Sequence, residues 1–311
     1  MKIIGHQKII QFLQKSIDNH KLAHAYLFYG PEHIGKTIVA ENFITRLLCL
    51  KGKSCGRCLG CKQALKHIHP DLNWISDSPI GIDSIRDVIK FVSLKPLVAP
   101  YRVVIIEQAD TLTIQAANAF LKLLEEAPAK SIIILITKNL HYLPATLRSR
   151  CQILRFSLPP KEELVKFFKS QFNLKQEEIK KLLFLSLSRP GLAIKLIQDP
   201  EAMDKYQQVI NKFINVLSVN NFEDKLNLTG FILDSASDNL NHLLMVIRML
   251  ILAKFDDRSI DGKFNQVFQN LAKKYDQEKL VEMAYQVLNT QFLLRYNVNQ
   301  RLAIENLLIN I

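Results

Sequence analysis

Residues 6–19 carry apolar side chains at helical spacing (Ile9, Ile10, Phe12, Leu13, Ile17). Ala25 to Tyr29 follows as a short apolar and aromatic run of strand type, ended by Gly30. Helical spacing returns from about Lys36 to Leu48, and a Cys- and Lys-rich insert occupies 49–62. Beyond it the pattern predicts strands at Leu72–Ile75, Arg102–Ile106, Ile132–Thr137 and Ile153–Phe156, and helices at Ile82–Leu94 and Ile114–Glu126. Strand and helix in alternation imply a parallel sheet with helices on both faces. After Pro159-Pro160 the strand signals stop and helical periodicity runs to the end. A softer break at Asp199-Pro200 separates a short helical segment from longer ones. Leu243, Leu244, Val246, Ile247, Leu250 and Ile251 are more apolar positions than one helix face holds. Either an intersubunit surface or an ordinary core would need them.

With 311 residues, 48% hydrophobic and 23% charged, the chain is globular, with room for two or three domains. No apolar run approaches the roughly 18 residues of a membrane span. His6, Gln7 and Lys8 interrupt the first apolar run, which argues against a secretory signal, so the cytoplasm is the expected compartment and no membrane partner is expected. The net charge of +12 is uneven: residues 1–160 hold 21 basic and 11 acidic side chains, whereas the remainder is nearly balanced. A basic front half suits an anionic partner, nucleotide or nucleic acid, unless the protein is merely basic.

Gly30-Pro31-Glu32-His33-Ile34-Gly35-Lys36-Thr37 satisfies G-x-x-x-x-G-K-[ST] between a strand and a helix. Gly30 and Gly35 let the backbone fold so that its N–H groups face phosphate oxygens, and the helix N-terminus adds positive potential. Lys36 is then the residue for the terminal phosphates and Thr37 for magnesium, so ATP or ADP with Mg2+ is the expected ligand; the alternative is a loop that kept the pattern and lost the nucleotide. Hydrolysis is a separate matter. The buried strand before the metal position ends in Glu107-Gln108. Glu107 can serve a metal, but Gln108 cannot accept a proton, and loss of a general base costs about 100- to 10,000-fold. Asp110 is the nearest other carboxylate and lies past the strand end.

Cys49, Cys55, Cys58 and Cys61 read C-x5-C-x2-C-x2-C. Four soft ligands in a short loop complete a tetrahedral zinc shell, and four protein ligands leave no open position, so the expected site is structural. An iron–sulfur cluster also uses close C-x2-C spacing, and four free thiols are the remaining alternative.

Several segments together resemble the AAA+ subunits of the bacterial DNA polymerase III clamp loader, the delta-prime subunits above all. They are Ile4-Gly5-His6-Gln7, His24 to Phe28 with the phosphate loop, the four-Cys insert, His69-Pro70-Asp71, Gln115 to Lys122 through Glu125-Glu126, Leu147-Arg148-Ser149-Arg150-Cys151, and Asn297 to Ala303. The likeness is dense over 1–156 and thinner beyond. It implies a parallel α/β AAA+ P-loop domain at 1–157 with the zinc insert at 49–62, a small helical lid at 158–200, and an all-α collar at 201–311. It implies that Arg150 is an arginine finger for the ATP site of a neighbouring tau/gamma subunit, where a solvated loop arginine is the plain alternative. Thr137 falls where ATPase relatives place a polar residue that senses the terminal phosphate; a strand-end cap is the competing role. The motor pattern would put a sensing arginine at Gly191, and Arg189 is out of register. The implied function is a non-motor subunit that, with tau/gamma and delta, helps load the sliding clamp on primer–template DNA. A tau/gamma-like motor and a zinc-dependent nucleic-acid-binding module are the alternatives.

Overall fold

The computed structural model describes residues 3–219, 221–255, 263–294, 296 and 298–311. Its first part runs α1 (Gln7–Asp18), β1 (Ala25–Tyr29), α2 (Lys36–Leu47), α3 (Leu59–Leu65), β2 (Leu72–Ile75), α4 (Ile82–Ser93), β3 (Arg102–Ile106), α5 (Ile114–Glu125), β4 (Ser131–Thr137), α6 (Ala145–Arg148), β5 (Gln152–Arg155) and α7 (Lys161–Phe172). The five strands pair in parallel in the order β2-β3-β4-β1-β5. All residues of β3 and β4 are buried, which is why both read as continuous apolar runs with no alternation. Alternation survives only in which face each side chain meets. Tyr26, Phe28, Val103, Ile105, Ile132 and Ile134 pack into one core with α1 and α2. Ala25, Leu27, Val104, Ile106, Ile133 and Leu135 pack into the other with α4 and α5.

The chain divides into two compact units, Met1–Lys175 with Ser188–Leu192, and Gln176–Leu187 with Ala193–Ile311. Helices continue as α8 (Gln176–Leu185), α9 (Pro190–Gln198), α10 (Pro200–Val219), α11 (Phe222–Asp234), α12 (Ala236–Phe255), α13 (Lys263–Ala272), α14 (Gln277–Leu293) and α15 (Gln300–Asn310). A parallel sheet between helices, followed by helices alone, is the expected fold class. Within the second unit α12 packs against α10, α13 and α14. Leu243, Val246, Ile247 and Leu250 are buried there and Leu244 and Ile251 partly so. A helix with neighbours on several sides is apolar on several sides, so these residues serve the unit's own core. Of the segment running to Ala303, Asn297 lies outside the described residues; Asn299 caps α15, its side chain accepting from Leu302 N at 3.2 Å. Among the described residues no helix is long and apolar enough to cross a membrane.

Candidate functional site

Register brings the chemistry to one end of the sheet. Tyr29 pairs with Thr137, and Ile106 with Leu135, so the chain leaves β1, β3 and β4 at the same edge with Gly30, Glu107 and Thr137. Gly30 has φ +149° and a Cβ there would meet the Phe156 carbonyl at 2.3 Å, so no other residue fits. Gly35 sits at φ +100° just before α2. Lys36 is 7% exposed. Its Nζ donates to the Gly30 and Pro31 carbonyls, each at 2.6 Å. Burial pulls the Lys36 ammonium down to about 8; Glu32 and Asp110 oppose that, while Arg189 and Lys138 add to it. Arg189, which sequence register leaves without a role, is thus within electrostatic reach of the loop lysine.

Thr37 Oγ1 donates to Glu107 Oε1 at 3.0 Å. A hydroxyl and a carboxylate side by side are the hard oxygen donors that magnesium takes, so these residues fit Mg2+ beside a nucleotide. Thr137 Oγ1 stands 3.0 Å from Asp110 Oδ1 and 3.1 Å from the Asn139 carbonyl, and accepts from Asn139 N–H at 3.2 Å. The capping geometry is therefore present, and so is proximity to the loop, since Gly30 N donates to Thr137 O at 3.3 Å. Asp110 joins the site through the tight turn Ala109–Thr111, which folds it back from beyond the strand end. Sequence distance alone concealed that.

Arg150 stands at the other end of the sheet. It precedes β5, whose first residue Gln152 pairs with Tyr26, while the phosphate loop follows Tyr29. At about 3.3 Å per residue the two sites are roughly 13 Å apart along the strands, beyond the reach of an arginine side chain. Its guanidinium is half-exposed and forms an ion pair with Glu125 Oε1 at 2.5 Å and a bond to Thr146 O at 2.9 Å. Cys151 is packed, its thiol pushed up to about 12 by burial.

The four insert cysteines converge, with sulfurs all within 4.8 Å of one another. Cys49 Sγ is 3.7 Å from Cys55 Sγ and 3.9 Å from Cys58 Sγ, and Cys55 Sγ is 3.9 Å from Cys61 Sγ. Four ligands at about 2.3 Å from a tetrahedral zinc stand about 3.8 Å apart, so the set fits one zinc ion. An iron–sulfur cluster would hold its cysteines farther apart, around several irons. The Cys58 and Cys61 backbone N–H groups donate to Cys55 Sγ and Cys58 Sγ, each at 3.4 Å. Burial would raise the Cys49 thiol, but the backbone N–H groups of Cys55, Lys51 and Lys53 outweigh it and bring it down to about 6. Burial, with Cys58 and Cys49 alongside, pushes Cys61 up to about 12. A divalent cation held among the four sulfurs would let all of them ionise.

Three residues acquire contacts that patterns alone do not show. His6 Nε2 lies 2.8 Å from the Ile34 carbonyl, bracing the phosphate loop from the chain's first helix. Asp71 is fully buried and accepts from the Leu97, Val98 and Ala99 N–H groups at 2.6, 2.8 and 2.9 Å. That pins the loop entering β3. Burial would raise the Asp71 carboxyl, yet these donors hold it below its ordinary value. Gly191, where a sensing arginine would fall, donates its N–H to the His33 carbonyl at 2.7 Å.

Residues 5–160, half of the chain, match the family described as DNA polymerase III, delta subunit. Over 154 residues the chain is 38% identical to the DNA polymerase III subunit tau of Bacillus subtilis, covering 48% of this chain and 27% of that protein. It is 37% identical over 136 residues to the subunit delta' of Pseudomonas aeruginosa, covering 42% of each. It is 32% identical over 181 residues to the subunit delta' of Haemophilus influenzae, covering 57% of this chain and 55% of that one. The chain thus spans from about a quarter to just over half the length of these curated relatives.

Proposed function

The chain belongs to the DNA polymerase III delta-subunit family, and from that premise we propose that it is the delta-prime-type, non-motor subunit of a clamp loader. It works in the cytoplasm with tau/gamma and delta subunits to place the sliding clamp on primer–template DNA. Arg150 is its catalytic contribution. The observation that carries this is the separation of Arg150 from the chain's own phosphate loop by the length of the sheet. A guanidinium that cannot lose its charge suits the charge developing on a transferring phosphoryl group, and here that group must belong to a neighbour. Gly30, Gly35, Lys36, Thr37, Glu107 and Thr137 hold ATP or ADP with Mg2+, and Gln108 leaves turnover there weak. Cys49, Cys55, Cys58 and Cys61 hold a structural zinc. The division into a P-loop domain at 1–157, a lid at 158–200 and a collar at 201–311 follows the same reading. The basic front half flanks the DNA path through backbone contacts.

The test is reconstitution with tau/gamma and delta partners, with ATP turnover measured in the presence of clamp and primed DNA. Arg150→Ala is expected to cut stimulated turnover by about 1,000-fold or more while the complex stays assembled on size-exclusion chromatography. A second reading, a tau/gamma-like motor, draws on the intact loop and the Thr37–Glu107 pair. Turnover by the isolated chain, abolished by Lys36→Ala and indifferent to Arg150→Ala, would replace the first reading with the second.

A further inference from the structure

The metal insert presents a surface that the nucleotide chemistry does not use. From residue 49 to residue 70 there are five cations (Lys51, Lys53, Arg57, Lys62, Lys66) and no carboxylate. The same stretch leaves four large aliphatic side chains in solvent: Leu50 at 58% exposure, Leu59 at 65%, Leu65 at 53% and Ile68 at 65%. All four belong to the one insert and its helix. Leu50 follows Cys49 and Leu59 follows Cys58, whose sulfurs stand 3.9 Å apart. Leu59, Lys62 and Lys66 are spaced i, i+3, i+7 and share the outward face of α3 and its C-cap, while Gly60, Cys61 and Ala64 face inward. Exposed apolar groups ringed by one sign of charge mark an interaction site.

We propose that this insert docks a protein partner through an acidic, aliphatic segment, with leucine-type anchors meeting Leu50, Leu59, Leu65 and Ile68 and carboxylates meeting the five cations. Nucleic acid is the weaker fit. Single strands are held by stacking on aromatic side chains, and residues 49–70 contain no Phe, Tyr or Trp. Of the two flat rings, His69 is buried, and His67 is already stacked on Trp74 at 3.6 Å and bonded to Glu41 Oε1 at 3.1 Å. Four aliphatic side chains gain nothing beside phosphates, whereas an amphipathic acidic helix satisfies both halves of the surface.

The experiment uses the full zinc-loaded chain and a fluorescein-labelled peptide of about 20 residues, with Leu at helical i, i+3, i+4, i+7 spacing and Glu elsewhere. Anisotropy titration is expected to give saturable binding that weakens about tenfold or more in Arg57→Glu/Lys62→Glu and in Leu59→Ser/Ile68→Ser, and that falls with added salt. Zinc content and circular dichroism establish that each variant is folded, and Lys53→Glu/Lys66→Glu and Leu65→Ser repeat the two arms at independent positions. Absence of peptide binding by the wild type would overturn the proposal. So would loss in the charge variants with none in the apolar ones. Tighter binding of a labelled oligothymidine, lost in the same charge variants, would assign the surface to nucleic acid instead.

Discussion

Lys36 shows how one residue carries a binding site and its pH dependence together. Its ammonium is almost out of water and hydrogen-bonds to two neutral carbonyls, and burial outweighs the nearby Glu32 and Asp110 carboxylates and draws it down to about 8. The unfolded chain keeps lysine near 10.5, so between about 8 and 10.5 the unfolded state binds more protons than the fold. Lys36 is therefore a cost to the nucleotide-free protein at neutral pH, and that cost eases as pH rises through this window. A phosphate in place of the carbonyls reverses the balance by favouring the charged form. Nucleotide affinity should accordingly be flat up to about pH 8 and then fall by roughly tenfold per pH unit, with proton uptake on binding. Isothermal titration in buffers of different ionisation enthalpy reads that uptake directly. Lys36→Ala should abolish binding, and Lys36→Arg should flatten the profile because guanidinium stays charged. A wild-type affinity unchanged to pH 9.5 would mean that this ammonium does not meet the phosphates.

Among the elements, the insert is the one whose order depends on something beyond packing. Cys61, in the first turn of α3, is fully buried, yet Cys55 and Cys58 are half-exposed, and exposed Leu50 and Leu59 add no core. Without a metal, residues 50–58 and the first turn of α3 lose the tie that joins them. Cys61→Ser is expected to lower zinc content from about one ion per chain to nearly none. Hydrogen exchange should then quicken in α3 and leave β3 and β4 protected, because those strands are locked by the two sheet cores. Exchange rising across the whole sheet would make the zinc a keystone of the domain. The four-Cys spacing was legible in the sequence because its ligands are close along the chain, and so was the phosphate loop. The strands were legible because Val103 to Ile106 and Ile132 to Ile136 are buried on both faces and cannot be polar. What sequence could not show is contact made across the fold. Asp110 looked displaced until a single tight turn brought it onto Thr137. His6 and Asp71 are polar residues whose partners are backbone groups of the phosphate loop and of the loop entering β3, and a backbone partner leaves no residue-type signature.

For the molecule as a whole, an arginine that cannot reach its own phosphate loop has catalytic meaning only if a neighbour is held in register with it. Holding subunits together needs apolar surface, and the helical unit has an outward stripe of it. On α14, Leu280, Met283 and Val287 face the core, whereas Val281, Tyr285, Leu288 and Phe292 recur at i, i+4, i+7, i+11 and are exposed, Tyr285 by 70%. Burying such a stripe on a second chain removes aromatic and aliphatic surface from water, the contribution that dominates association. Under the collar reading, Tyr285→Glu with Leu288→Glu should leave a folded monomer, with unchanged circular dichroism, zinc content and nucleotide affinity. Its assembly with tau/gamma and delta should weaken by about a hundredfold or more, read as loss of the complex peak on size-exclusion chromatography. Stimulated ATP turnover should fall in parallel and return at high subunit concentration, because the finger itself is intact. Arg150→Ala, by contrast, should stay inactive at every concentration. That difference in concentration dependence separates a chain that fails to meet its neighbour from one that meets it without the group the neighbour's phosphate requires.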